Sequence, residues 1–175
     1  MGASLRIDLE RFVPFRLKRL AAEVSRALAR VYGERFGIDI PEWRVIATLG
    51  DRGMARAQDI ALSTRMHKSM VSRAVARLMQ LGWVARTDGA KDRREAPLAL
   101  TATGCAVYDQ LVPIVLDYQD RLLASLTRSE RRELEQLLDK LERALDLPCR
   151  PARPVQRRGD SARALPEPSS AGPGS

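Results

Sequence analysis

The sequence predicts a mainly α-helical chain with a small β-wing: a helix-turn-helix lobe in the middle, and long helices suited to self-association on either side. Three observations predict it. Apolar residues recur at spacings of three and four from residue 17 to 81 and again from 107 to 145, which is the period of half-buried helices. Only between Trp83 and Leu100 does the period change, where two short runs flank Asp88-Gly89-Ala90-Lys91-Asp92-Arg93-Arg94-Glu95. Charge concentrates in the same region: residues 65–94 hold eight Lys or Arg against Asp88 and Asp92, a balance of +6 in a chain of net charge +8. Charge so placed seeks phosphate, and favours nucleic acid over a generally cationic surface.

Taken in order, residues 1 to about 10 are expected to fray or to pack on a partner subunit. Pro14 is tolerated only in the first turn of the helix that follows, whose stripe Leu17, Leu20, Ala21, Val24, Leu28, Val31 and Tyr32 runs to Phe36 before Gly37 ends it. Pro41 opens a second helix with Trp43, Val45, Ile46 and Leu49 on its apolar side, and Gly50-Asp51-Arg52-Gly53 is expected to break it. Trp43 suits two uses, packing in the core and lining a ligand pocket.

Ala57 to Leu62 reads as a short helix, Ser63 to His67 as a polar turn, and Lys68 to Leu81 as a second helix. In the latter Val71, Ala74, Val75, Leu78, Met79 and Leu81 form one face, leaving Lys68, Ser69, Ser72, Arg73 and Arg77 outside. Gly82 closes it. The runs 83–87 and 96–100 then look like strands joined by a basic tip, and Pro97, which cannot donate to a ladder, is expected on an edge strand. Helix, turn, helix and basic hairpin together make a winged helix-turn-helix, with the second helix in the major groove and the wing at the minor groove.

Thr101 reads as the N-cap of a helix continuing to about Ser125, with Val107, Tyr108, Leu111, Ile114, Val115, Tyr118, Leu122 and Leu123 apolar and a kink expected at Pro113. Thr127-Arg128-Ser129-Glu130 is a capping box for a last helix whose Leu134, Leu137, Leu138, Leu141 and Leu145 form a narrow seam. Such a seam at a chain end implies a homodimer. From Leu147 onward the chain is Pro, Arg, Ser, Ala and Gly with few large apolar residues, and is expected to be disordered. The expected organisation is a dimerisation helix at 1–40, the DNA-binding lobe at 41–100, dimerisation helices at 101–146 and a tail at 147–175.

Several function classes fall away. No apolar run approaches the roughly 20 residues of a membrane span, and Arg6, Asp8, Glu10 and Arg11 lie where a signal peptide would be apolar, so the expected location is cytoplasmic. Cys105 and Cys149 with the single His67 cannot complete a four-ligand zinc site, and no metal or other cofactor is expected. There is no phosphate-binding loop or dinucleotide fingerprint, and His67 has no motif-level Ser or Cys partner, so no catalytic residue is expected and the chain does not read as an enzyme.

The Trp43 helix, Ser69-Met70-Val71-Ser72-Arg73, the Asp92-Arg93-Arg94 wing and Leu100-Thr101-Ala102-Thr103-Gly104 follow one another in an order that resembles the MarR family of bacterial transcriptional regulators. The likeness covers about residues 10 to 146. It implies a homodimer, built by the first helix with the last two, that binds a pseudo-palindromic operator in double-stranded DNA. In the recognition helix Arg73 is the candidate base contact, since Arg pairs bidentately with guanine, while Lys68, Ser69, Ser72 and Arg77 serve phosphates. In the wing the resemblance implies that Asp92 orients Arg94 for the minor groove, with Arg86, Lys91 and Arg93 on neighbouring phosphates.

The resemblance also implies release of DNA when a small molecule binds between the dimerisation helices and the DNA-binding lobe. Candidate ligand residues are Phe15, Arg16, Arg19, Trp43, Arg44, Ile46, Tyr108 and Leu111. The runs 36–46 and 66–75 look like those of a branch sensing hydroxycinnamoyl-coenzyme A thioesters, which implies a repressor of aromatic-acid catabolic genes released by an aryl-CoA thioester such as p-coumaroyl-CoA. Response to a free aromatic acid or to thiol oxidation is the alternative within the family. An architectural or protein-association winged-helix module is the alternative outside it, and would discriminate weakly between sequences.

Overall fold

The computed structural model describes residues 6–87 and 96–147, of which 6–131 belong to one compact unit and 132–147 to a second. The chain order is α1 (Val13–Phe36), α2 (Ile40–Arg52), β1 (Met54–Ala55), α3 (Ala57–Thr64), α4 (Lys68–Gln80), β2 (Val84–Arg86), β3 (Leu98–Leu100), α5 (Ala102–Leu122) and α6 (Arg128–Ala144). This is the mainly helical, winged architecture that the periodicity predicts.

Most helix ends follow local rules. Pro14 sits in the first turn of α1, and Gly37 closes it at φ 65°, a left-handed conformation that glycine adopts without strain. In α2 the Asp39 side chain accepts from the Glu42 N–H at 3.0 Å and the Glu42 carboxylate accepts from the Asp39 N–H at 2.8 Å. This reciprocal capping box is legible in the sequence as Asp-x-x-Glu around Pro41. Thr101 caps α5 as expected, its hydroxyl accepting from the Gly104 N–H at 3.0 Å. Thr127 and Glu130 form the predicted box at the start of α6.

Gly50 does not break α2. The helix runs on through Arg52 and ends at Gly53, because Gly50 is where the Tyr108 ring of α5 packs: a Cβ there would overlap that ring, lying 2.7 Å from its Cδ2. The missing side chain serves close approach of two elements, not chain reversal. Pro113 lies inside α5, which ends at Leu122, three residues before the expected Ser125.

The sheet corrects the expected place of Pro97. Strand order is β1-β3-β2, so β3 is central; Ala99 faces Met54 on one side and Ala85 on the other. Pro97 escapes the cost because it stands one residue before the ladder and contributes only its carbonyl, which accepts from the Thr87 N–H at 2.8 Å and the Thr87 hydroxyl at 3.1 Å. The two-residue β1 is too short for any alternation to announce it.

The core of the first unit gathers Tyr32 from α1, Val45, Ile46 and Leu49 from α2, Ile60 from α3, Val71 and Leu78 from α4, Leu98 from β3 and Leu111 from α5. The four leucines Leu137, Leu138, Leu141 and Leu145 of the second unit are exposed, as are Leu17 and Leu20 of α1 and Leu116 and Leu122 of α5. No helix of the described residues is long and apolar enough to cross a membrane.

Candidate nucleic-acid interface

Helices α3 and α4 are joined by three residues, and each has a specific job. Arg65 reverses the chain in the left-handed region, φ 55°, an uncommon choice for a residue with a side chain. Met66 is buried and anchors the turn in the core. His67 is the N-cap of α4: its Nδ1 accepts from the Ser69 N–H at 3.3 Å and lies 2.8 Å from the Ser69 hydroxyl. The last turn of α3 is tightened by Thr64, whose hydroxyl donates to the Ile60 carbonyl at 2.6 Å. The predicted turn therefore begins two residues later than expected, since Ser63 and Thr64 remain helical by bonding back into their own helix.

The two faces of α4 differ as predicted. Val71, Ala74, Val75 and Leu78 are buried, while Lys68, Ser69, Ser72, Arg73 and Arg77 are exposed. Burying four apolar side chains holds the helix down by its inner face and leaves the basic and hydroxylic face outward, with the positive end of the helix dipole at Lys68 and Ser69. Arg73 makes no ion pair among the described residues and projects beside a cavity of about 350 Å³ between α4 and the start of α2.

Arg77 is engaged elsewhere. Its Nε lies 2.7 Å from a Glu42 carboxylate oxygen and its Nη2 donates to the Gly37 carbonyl at 3.1 Å. Glu42 itself is only 3% exposed, and burial pushes its carboxyl above the usual range, against the Asp39 N–H and Arg77, which pull it down. This anchoring carboxylate is the residue that periodicity missed; the capping-box spacing was the signal available.

Arg86 is exposed on β2. Lys91, Asp92, Arg93 and Arg94 lie outside the described residues.

The predicted ligand residues divide into three settings. Ile46 and Leu111 are fully buried members of the core. Trp43 stacks on Tyr32 with ring centroids 5.9 Å apart, which is the packing use, and burial raises the Tyr32 hydroxyl to about 12. Tyr108 packs on Gly50. At the outer end of α1, Arg19 lies over the Phe15 ring and pairs with Glu10 at 2.9 Å, while Arg16 is exposed; Arg44 is half-buried on α2. None of the eight lines the cavity beside Arg73, nor a second of about 330 Å³ beside His67 and Lys68 walled by Gln58, Leu62 and Met66. Cys105 is a half-buried free thiol, and among the described residues no cluster of His, Cys, Asp and Glu could hold a metal ion.

With this geometry in place, similarity to known proteins can be read. A model of the MarR family matches residues 36–95, the span from the end of α1 through the wing. The HTH-type transcriptional regulator PecS of Dickeya dadantii is 27% identical over 132 residues, 74% of this chain and 79% of that protein. The HTH-type transcriptional regulator YwoH of Bacillus subtilis is 30% identical over 100 residues, 57% of this chain and 72% of that protein. A crystal structure of a MarR/EmrR family transcriptional regulator from Acinetobacter sp. ADP1 aligns with a TM-score of 0.73 at 26% identity, covering 80% of this chain and 99% of that one.

Proposed function

The chain belongs to the MarR family of transcriptional regulators, and from that premise we propose that it acts as a homodimeric, ligand-responsive repressor. It binds a pseudo-palindromic operator in double-stranded DNA. The observation that carries the reading is the division of α4: an inner face buried in the core, and an outer face of Lys68, Ser69, Ser72 and Arg73 capped by His67. A helix so presented enters the major groove N-terminus first. Arg73 then reads a guanine, and Lys68, Ser69 and Ser72 set register on phosphates. Arg86, Lys91 and Arg93 meet the flanking backbone, and Asp92 holds Arg94 for the minor groove.

Twofold operators require twofold proteins, and the exposed Leu17, Leu20, Leu116 and Leu122 together with the seam on α6 supply apolar surface for a second copy. Light scattering at micromolar concentration is expected to give the mass of two chains. A monomer that still binds its operator tightly would refute the dimeric reading.

For the effector we propose an aryl-CoA thioester that relieves repression of aromatic-acid catabolic genes. The support is the likeness of residues 36–46 and 66–75 to a thioester-sensing branch. Phe15, Trp43 and Tyr108 supply aromatic surface, Ile46 and Leu111 the core behind it, and Arg16, Arg19 and Arg44 charge for the coenzyme phosphates. Shifting bound DNA from 99:1 to 1:99 needs about 5.5 kcal/mol of preference for the released form, which two sites in a dimer would share. The assay is a band-shift titration with p-coumaroyl-CoA, p-coumarate and coenzyme A in parallel. Release is expected only with the thioester; release by the free acid at equal or lower concentration would refute it.

A further inference from the structure

We propose that Arg77 is a positioning residue and not a phosphate contact: held between the Glu42 carboxylate and the Gly37 carbonyl, it sets the angle at which α4 meets DNA. The inference rests on the reading of α4 as the DNA-contacting helix, and adds to it a device that ties this helix to the junction of α1 and α2.

The chemistry begins with the acceptors. Gly37 closes α1 and Glu42 stands in the first turn of α2, so both belong to one five-residue bend that is itself held by the capping box. One Glu42 oxygen accepts from the Asp39 N–H, leaving the other for Arg77 Nε at 2.7 Å, while the Gly37 carbonyl takes Arg77 Nη2 at 3.1 Å. A planar guanidinium engaged through two of its nitrogens by acceptors on both sides of that bend cannot rotate freely. To grasp a phosphate with the same nitrogens it would have to leave a carboxylate that is only 3% exposed without its cation.

The apolar faces of α2 and α4 share one core, but apolar burial is non-directional and tolerates small rotations of a helix about its axis. A bidentate pair at the edge of that contact does not. Arg73 lies one turn before Arg77 on the same outer face, so a rotation released by loss of the pair moves the proposed base contact directly. Buried ion pairs contribute less to stability than to the choice of one geometry, which is the role assigned here.

The test uses the full chain and a duplex that the wild-type protein selects from random-sequence DNA. Affinity is measured across a salt series for Arg77→Met, Arg77→Lys, Glu42→Gln and the double variant Glu42→Gln/Arg77→Met, each checked for folding by circular dichroism. Gln at 42 keeps the cap acceptor and removes only the charge. Lys at 77 keeps a charge that satisfies a phosphate but cannot bridge two acceptors, so it carries the test if the Met variant does not fold.

Each single variant is expected to weaken binding by about tenfold, with the double variant no weaker than either single, as coupled groups behave. The slope of log affinity against log salt is expected to stay unchanged, a result that a mere loss of folded protein cannot mimic once active fractions are counted. The proposal is overturned if Arg77→Met lowers that slope by about 0.9, the signature of one lost phosphate contact. It is overturned equally if Arg77→Lys binds like wild type, or if Glu42→Gln leaves affinity unchanged. Should the wild-type chain select no duplex, the DNA-binding reading fails and takes this one with it.

Discussion

Replacing Gly104 by alanine sets two effects of opposite sign against each other. Gly104 lies in the first turn of α5, where alanine on helix propensity alone would stabilise by about 1 kcal/mol. The structure argues otherwise. A Cβ at this position would overlap the Trp83 carbonyl oxygen and lie 2.8 Å from the carbonyl carbon, where ordinary contact begins near 3.4 Å. Those atoms are backbone and cannot swing aside. The Trp83 carbonyl also accepts from the Thr101 N–H at 3.0 Å, and the adjoining Gly82 carbonyl accepts from the Thr101 hydroxyl at 2.6 Å, so retreat would strain the joint between α4, the wing and α5. Overpacking of this kind costs about 1–3 kcal/mol and a weakened backbone bond about 1 more. With the propensity gain subtracted, Gly104→Ala is expected to destabilise by about 2 kcal/mol. Urea unfolding at fixed protein concentration measures it, with Ala106→Gly at an exposed position of the same helix as the control, expected to lose about 1 kcal/mol. An unfolding midpoint raised by Gly104→Ala would refute the claim that the Trp83 backbone is seated on this glycine.

Thr101→Val removes the cap acceptor of α5 together with the bond to Gly82, and is expected to lose about 1 kcal/mol in the same assay. Two carboxylates should move stability with pH in opposite directions. The Thr127 backbone N–H and then its hydroxyl hold the Glu130 carboxyl below its ordinary range, so its contribution is present above that range and disappears as pH falls through the lowered folded value; Glu130→Gln should abolish the dependence. Burial raises Glu42, so its contribution is fullest below the ordinary carboxylate range and is lost as pH rises toward the raised folded value; nuclear magnetic resonance titration of both carboxyls checks the two signs. On the proposed interface, Arg73→Ala should relax discrimination at one base pair of each half-site, worth about 1–3 kcal/mol, whereas Arg94→Ala should weaken binding most at A·T-rich flanks and Asp92→Ala should reproduce part of that loss. Competition against single-position operator variants separates them, and unchanged affinity of Arg94→Ala at physiological salt would remove the wing assignment.

What the sequence by itself determined is everything settled within a few residues of chain. Pro14 and Gly37 bound α1, Thr127 and Glu130 open α6, and the three-and-four spacing from Val71 to Leu78 decides which face of α4 turns inward. Each follows from local backbone sterics, a hydrogen bond three residues long, or the period of one helix. Family membership was legible for the same reason, since the order of such local signals along the chain is itself a pattern.

Tertiary structure decided whatever depends on two surfaces meeting. Gly50 has the composition of a helix breaker, yet a ring 58 positions along the chain makes it a contact point inside a helix. Pro97 suggests an edge, but β1 supplies the second neighbour that makes β3 central, and two residues are too few to betray a strand. Arg77 and Arg73 stand on one helix face one turn apart and read alike in sequence. Only the arrival of Glu42 and Gly37 beside one of them separates their roles, because an ion pair is decided by where its partner lies in space, and that partner is 35 residues away.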